Sequence, residues 1–173
     1  RRSEARNGTA TTPSTLPIWY QLLAVKEEKI NLLNSGRSWY SLPIRQGQSL
    51  TINFGKNAGT SAPWLLHARL MSQSISPSSI RVWGDAELLE EVIFSPISSS
   101  TYGIKGSEVR IIETFNPKGD RLDQLRFSFQ GVGSGHLDLA LLGIPFTNSS
   151  LKEGLFFGKQ ENLISLETGL QTW

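Results

Sequence analysis

The chain has 173 residues, 38% hydrophobic and 18% charged, which suits one domain with a sizeable core and falls below the charge content of about 25% usual for globular chains. Its net charge of +2 is carried by Arg1, Arg2 and Arg6 against Glu4, so the body is neutral and gives no support for a broad basic face of the nucleic-acid-binding kind. The absence of cysteine excludes disulfide scaffolds, thiolate zinc sites, iron–sulfur clusters and thiol nucleophiles, and no apolar run of about 18 residues is present to span a membrane.

Residues 1–17 read as an extended arm, because Asn7 to Thr15 is small, polar and interrupted by Pro13. The start at Arg1 rather than Met reads as a processed or truncated product. Ile18 to Leu33 fits a helix entered at Pro17 or a hairpin turning at Lys26 to Glu28, with strands preferred. Leu50, Ile52 and Phe54 alternate with Thr51 and Asn53 between Gly47 and Gly55, the mark of a half-buried strand. Gly55 to Pro63 reads as a loop. Trp64, Leu66, Ala68 and Leu70 then share one face of a strand, with His67 and Arg69 on the other.

Ser74 to Ser79 is turn-rich, and Ile80 and Val82 alternate with Arg81 and Trp83 beyond it. Asp85 as an N-cap ahead of Glu87, Leu88, Leu89, Glu90 and Glu91 suggests one short helical turn before Val92–Phe94 extends again. Ser95 to Gly106 reads as a loop, Val109 to Phe115 as a strand and Asn116 to Asp120 as a turn. Leu125, Phe127 and Phe129 against Arg126, Ser128 and Gln130 form the clearest alternation in the chain. The glycines of 131–135 then turn the chain into a strand from His136 to Leu142. Seven or eight strands at such spacings, without long helices, predict an all-β antiparallel sandwich, with a jelly roll as the leading topology. The expected organisation is an arm at 1–17, a sandwich at 18–147 and a tail at 148–173 that packs on the sandwich or on a neighbour. The likeness is to jelly-roll modules as a fold class, which includes carbohydrate-binding domains and small viral coat proteins; no motif selects one family.

The chemistry-bearing motifs are thin. The glycine run 131–135 precedes a strand rather than a helix, so it reads as a hairpin connection and not as a phosphate loop. His136 and Asp138 share a strand face and could begin a metal or catalytic pair. His67 is the single other histidine, so no third zinc ligand is evident, and a polar pair on a solvated face is the simpler reading. Glu87, Glu90, Glu91, Glu108 and Glu113 could contain a glycosidase pair, but they read more simply as solvated. No cofactor is implied, and no metal site.

The five tryptophans are the more informative excess. Trp64 is in phase with its strand's core face. Trp83 is out of phase with Ile80 and Val82, so it points outward beside Arg81 as a contact point. Trp19–Tyr20 and Trp39–Tyr40 each place aromatics on both sides of an extended chain. Arg69, Arg81, Arg110 and Arg126 occupy the polar phases of their strands, where they form either a positive stripe or pairs with acids across strands.

Three functions follow. The first is a non-catalytic assembly subunit of coat, filament or scaffold type, a homo-oligomer or part of a large particle, whose arm (Arg1, Arg2, Arg6, Trp19, Tyr20) docks on other chains and could touch nucleic acid. The alternative is a carbohydrate-binding module, in which Trp83, Arg81, Asn53, Arg126 and Gln130 meet a sugar. The third is a hydrolase resting on His136 and Asp138. An extracellular setting, or a place in a large particle, suits the first two.

Overall fold

The computed structural model describes residues 18–32, 39–100 and 105–147, together with the backbone of Leu163–Ile164. They form two antiparallel sheets packed face to face, and no α-helix occurs among them. The strands are β1 (Trp19–Lys26), β2 (Ser49–Asn57), β3 (Trp64–Gln73), β4 (Ser78–Gly84), β5 (Glu87–Phe94), β6 (Ser107–Phe115), β7 (Arg121–Gln130), β8 (Ser134–Phe146) and the two-residue β9 (Leu163–Ile164). One sheet has the order β6-β3-β8-β1-β9 and the other β2-β7-β4-β5. The pairing is nested: β4 with β5, β3 with β6, β2 with β7 and β1 with β8.

The alternation read from the sequence builds the core. Leu66, Leu70 and Trp64 of β3 face Ile80 and Val82 of β4 and Leu125, Phe127 and Phe129 of β7, all of them fully buried. Period-two patterning makes this possible, since alternate side chains reach the space between the sheets while their neighbours face outward. β8 is interior to its sheet, paired with β3 from Ser134 to Gly143 and with β1 from Leu139 to Phe146.

Three local expectations are corrected. The helical turn at Asp85 to Glu91 is a tight hairpin instead. Asp85 takes a left-handed φ of 52°, its carboxylate accepts the backbone N–H groups of Asp123 and Gln124, and β5 is extended from Glu87. Aspartate suits that conformation, and pairing of β5 with β4 outweighs the helix propensity of the Glu–Leu run. The hairpin at Lys26 to Glu28 does not form, because β1 pairs with β8 and the chain runs on through the bridge Ile30–Tyr40 to β2. Gly55 to Asn57 belong to β2, which crosses a bulge there with Gly55 at φ 58°.

The connection from β7 to β8 is the expected hairpin. At Gly133, with φ 109°, a Cβ would come within 2.1 Å of the Gln73 carbonyl oxygen, so only glycine closes this turn against β3. Arg1, Arg2, Arg6, Trp173 and most of the tail lie outside the described residues.

Candidate functional site

The outer face of the sheet β2-β7-β4-β5 collects the five contact residues read from the sequence. Register sets them in rows. Thr51, Arg126, Trp83 and Leu88 lie side by side across the four strands; Ser49, Ser128, Arg81 and Glu91 form the next row. Gln130, Ser79 and Ile93 follow on one side, and Asn53 with Gln124 on the other. Trp83 is half-buried on this face while Ile80 and Val82 are in the core, which is the outward phase expected of it. The Arg126 guanidinium lies over the Trp83 ring, 5.1 Å from its centroid. Cross-strand neighbours on one face approach to about 5 Å at Cβ, which is what allows a cation to stack on the indole.

The charges on this face are unequally satisfied. Arg81 Nε donates to Glu91 Oε1 at 3.0 Å, and Ser79 Oγ donates to the same oxygen at 2.9 Å. These two bonds, from Ser79 and Arg81, hold the Glu91 carboxyl below its ordinary titration range. Arg121, at the end of β7, is bonded to Asp123. Arg126 makes no ion pair or side-chain hydrogen bond among the described residues. Its Nε is enclosed without an acceptor, while the half-buried residue keeps part of its guanidinium at the surface.

A single positive stripe does not form. Arg81 and Arg126 lie on this sheet, whereas Arg69 and Arg110 face each other on β3 and β6 of the other sheet. That like-charged pair is tolerated because Glu108 lies 3.9 Å from Arg69 and 3.8 Å from Arg110, and Asp138 accepts a hydrogen bond from Arg69 Nη2.

His136 and Asp138 correct the expectation of a solvated pair: each is only 1% exposed. They lie on the outer side of the five-stranded sheet, but the segment from Tyr40 to Ile44 runs along this end of β8. Ser41 N donates to Leu137 O at 2.7 Å and Ile44 N to Gly135 O at 2.8 Å. His136 Nδ1 is 3.2 Å from the Ser41 carbonyl oxygen and Nε2 is 3.0 Å from Ser134 Oγ, with the Tyr40 ring edge-on at 6.3 Å. Burial pushes the imidazole pKa down, opposed in part by the bond to Ser41. His136 thus meets Ser41 and Ser134, and Asp138 Oδ2 meets Arg69 while its Oδ1 is enclosed without a donor; no group of three His, Asp or Glu able to hold a metal occurs among the described residues. The periodicity of β8 could not reveal this cover, because the covering segment is 95 residues away in sequence.

Trp19 and Tyr20, expected in the docking arm, open β1 within the sheet, and Tyr20 Oη donates to the Pro63 carbonyl at 3.1 Å. Burial raises the Tyr20 pKa. A hollow of about 390 Å³ at the end of the sandwich, between Gly84, Leu89, Phe115 and Leu122, is also lined by Asp85 and by Glu87, one of the carboxylates singled out from the sequence, and by none of the five contact residues.

No family model matches the chain, and no curated protein sequence matches it. Among solved structures it is similar to the dimeric latent PorU of Porphyromonas gingivalis, with a TM-score of 0.64 at 17% identity over 84% of this chain. The chain spans 14% of the length of that protein. Weaker likenesses include a family GH115 4-O-methyl-alpha-glucuronidase, BtGH115A, with a TM-score of 0.45 and 17% identity over 82% of this chain and 19% of that one. A family 35 carbohydrate-binding module from Clostridium thermocellum gives 0.39 and 14% identity over 75% of this chain and 98% of that one. At these identities the likeness to PorU is one of fold, and the two weaker ones carry no argument.

Proposed function

We propose that this domain is a non-catalytic glycan-binding module of jelly-roll type, and that the outer face of β2-β7-β4-β5 is its binding surface. The observation that carries the reading is the stack of Arg126 on Trp83 at the middle of that face. The partly exposed indole beside the guanidinium is an apolar surface for the C–H face of a sugar ring. Thr51, Ser128, Gln124, Asn53 and Gln130 surround it with hydroxyl and amide groups that donate to and accept from sugar hydroxyls. Orientation by a few polar groups around an aromatic is the usual economy of small-molecule sites. The test is a glycan array followed by titration of the hits. Trp83→Ala is expected to weaken binding about tenfold or more, and Ile112→Ser on the opposite sheet to leave it unchanged. Equal binding by Trp83→Ala and the unaltered chain would remove this face from consideration.

The second reading, an assembly subunit, draws on different residues. Ile93 on β5 and Ile112 on β6 are 76% and 73% exposed, and both sit on strands at the edge of their sheets among the described residues, where a further chain could pair. Light scattering over a wide concentration range, on the full chain and on a version starting at Leu16, tests it. Discrete oligomers of the full chain support this reading, and monomers of both versions throughout remove it.

A further inference from the structure

We infer that the Trp83–Arg126 platform selects glycans bearing carboxylates, that is, chains containing uronic acid units. The inference rests on the glycan-binding reading and adds to it the chemical class of the ligand. It follows from an imbalance of partners. Among the described arginines of the strands, Arg69, Arg81, Arg110 and Arg121 each meet a carboxylate, at Asp138, Glu91, Glu108 and Asp123 respectively, while the exposed Arg45 lies outside the strands, in the segment before β2. Arg126 meets an indole instead. No acid forms an ion pair with it among the described residues; Glu87 and Glu90 flank Leu88 on β5, at the far end of its row. The outer-face residues of β2 are Ser49, Thr51 and Asn53, and those flanking Arg126 on β7 are Gln124 and Ser128. Glu91 is already engaged by Arg81 and Ser79, and Asp123 by Arg121.

Arg126 therefore holds a positive charge without an ion-pair partner among the described residues, on a planar donor group. A guanidinium is a rigid fork that matches the two oxygens of a carboxylate, and charge-assisted bonds of this kind are roughly twice as strong as neutral ones. The contact with Trp83 restrains the side chain before any ligand arrives, so less side-chain entropy is lost when a ligand binds. A uronic acid unit satisfies both parts: its ring lies on the platform, and its carboxylate meets the guanidinium edge. A sulfated chain or a nucleic acid presents a dense row of charges, and among the described residues of this face Arg126 is the one arginine without an ion pair to meet them.

The experiment uses the full chain and an array of uronate-containing glycans, each beside its own methyl-esterified form, with neutral, sulfated and single-stranded DNA probes alongside. Hits are titrated by calorimetry at low and moderate salt. The expected result is that at least one uronate glycan binds roughly ten- to a hundredfold tighter than its ester. Arg126→Gln is expected to abolish that preference while retaining weak binding of the ester, and Arg126→Lys to restore part of it. Tm values within a few degrees of the unaltered chain confirm that these variants fold. Equal binding of acid and ester overturns the inference and leaves the glycan reading standing, as does binding to neutral glycans alone. Binding only to sulfated chains or DNA overturns it in favour of a polyanion site. No binding to any glycan overturns both readings.

Discussion

Trp83 shows how a side chain can be half-buried and still belong to the surface. It packs against the sheet and Arg126 rather than in the core, so Trp83→Ala is expected to reduce unfolding stability by no more than about 1 kcal/mol, measured by denaturant titration. A loss of several kcal/mol would mean that the ring is a core group. Period-two patterning was enough to place Trp83, and Arg126 with it, because phase on a strand is a local property. His136 is the opposite case, since its cover by Tyr40 to Ile44 depends on a contact that no local pattern encodes. That cover makes a pH prediction. The folded imidazole titrates below its ordinary value of 6.5 because burial disfavours the cation, so on acidification the unfolded chain takes up a proton that the folded chain resists. The stabilisation from neutral His136 is complete above about pH 6.5 and is lost progressively as pH falls from there toward the lower folded pKa. Arg69, Asp138 and Glu108 are the charged groups beside this part of the sheet. Denaturant midpoints are therefore expected to fall from pH 7 to pH 5.5, and to fall less in His136→Gln. The same slope in both proteins would assign the effect to other groups.

At the scale of the element, the sheets were legible wherever one face met the core and the other met solvent, as in β2, β3, β4 and β7. They were illegible where propensity and pairing disagree. Asp85 to Glu91 reads as a helical start, yet the backbone N–H groups of Asp123 and Gln124 capture the Asp85 carboxylate from across the sheet and fix a turn. β1 was ambiguous for a related reason: its partner β8 lies at the far end of the domain, so no nearby turn identifies it as a strand. Turns also differ in what they demand. Gly47 and Gly133 both have positive φ, but a Cβ at Gly47 would meet nothing, whereas at Gly133 it would strike the Gln73 carbonyl. Gly47→Ala is expected to cost about 1 kcal/mol through backbone strain alone, and Gly133→Ala about 2 kcal/mol or more, since the β7–β8 hairpin must also shift away from β3. Thermal unfolding of the two variants compares them directly, and equal losses would show that contact at Gly133 is relieved without cost.

In the whole molecule, nested pairing makes the two ends of the sandwich sequence depend on one another. β1 is joined to β8 over eight residue pairs, from Trp19–Phe146 to Lys26–Leu139, and Leu23 packs on the core from that strand. The described fold therefore closes only when residues more than a hundred positions apart have met, an arrangement in which loop-closure entropy must be offset late and all at once. Removing the residues before Leu16 leaves every described strand intact, so a chain starting at Leu16 is expected to unfold cooperatively with a midpoint close to that of the full chain. A chain starting at Glu27 lacks β1. It uncovers the β8 backbone from Leu139 to Phe146, an apolar edge of the kind that templates association, and it opens one side of the core. That shorter chain is expected to lose its cooperative thermal transition, bind a hydrophobic dye and aggregate in light scattering. If it instead melts cooperatively as a monomer, β1 is an accessory to a sandwich that stands without it, and residues Trp19 and Tyr20 return to the docking role that their sequence first suggested.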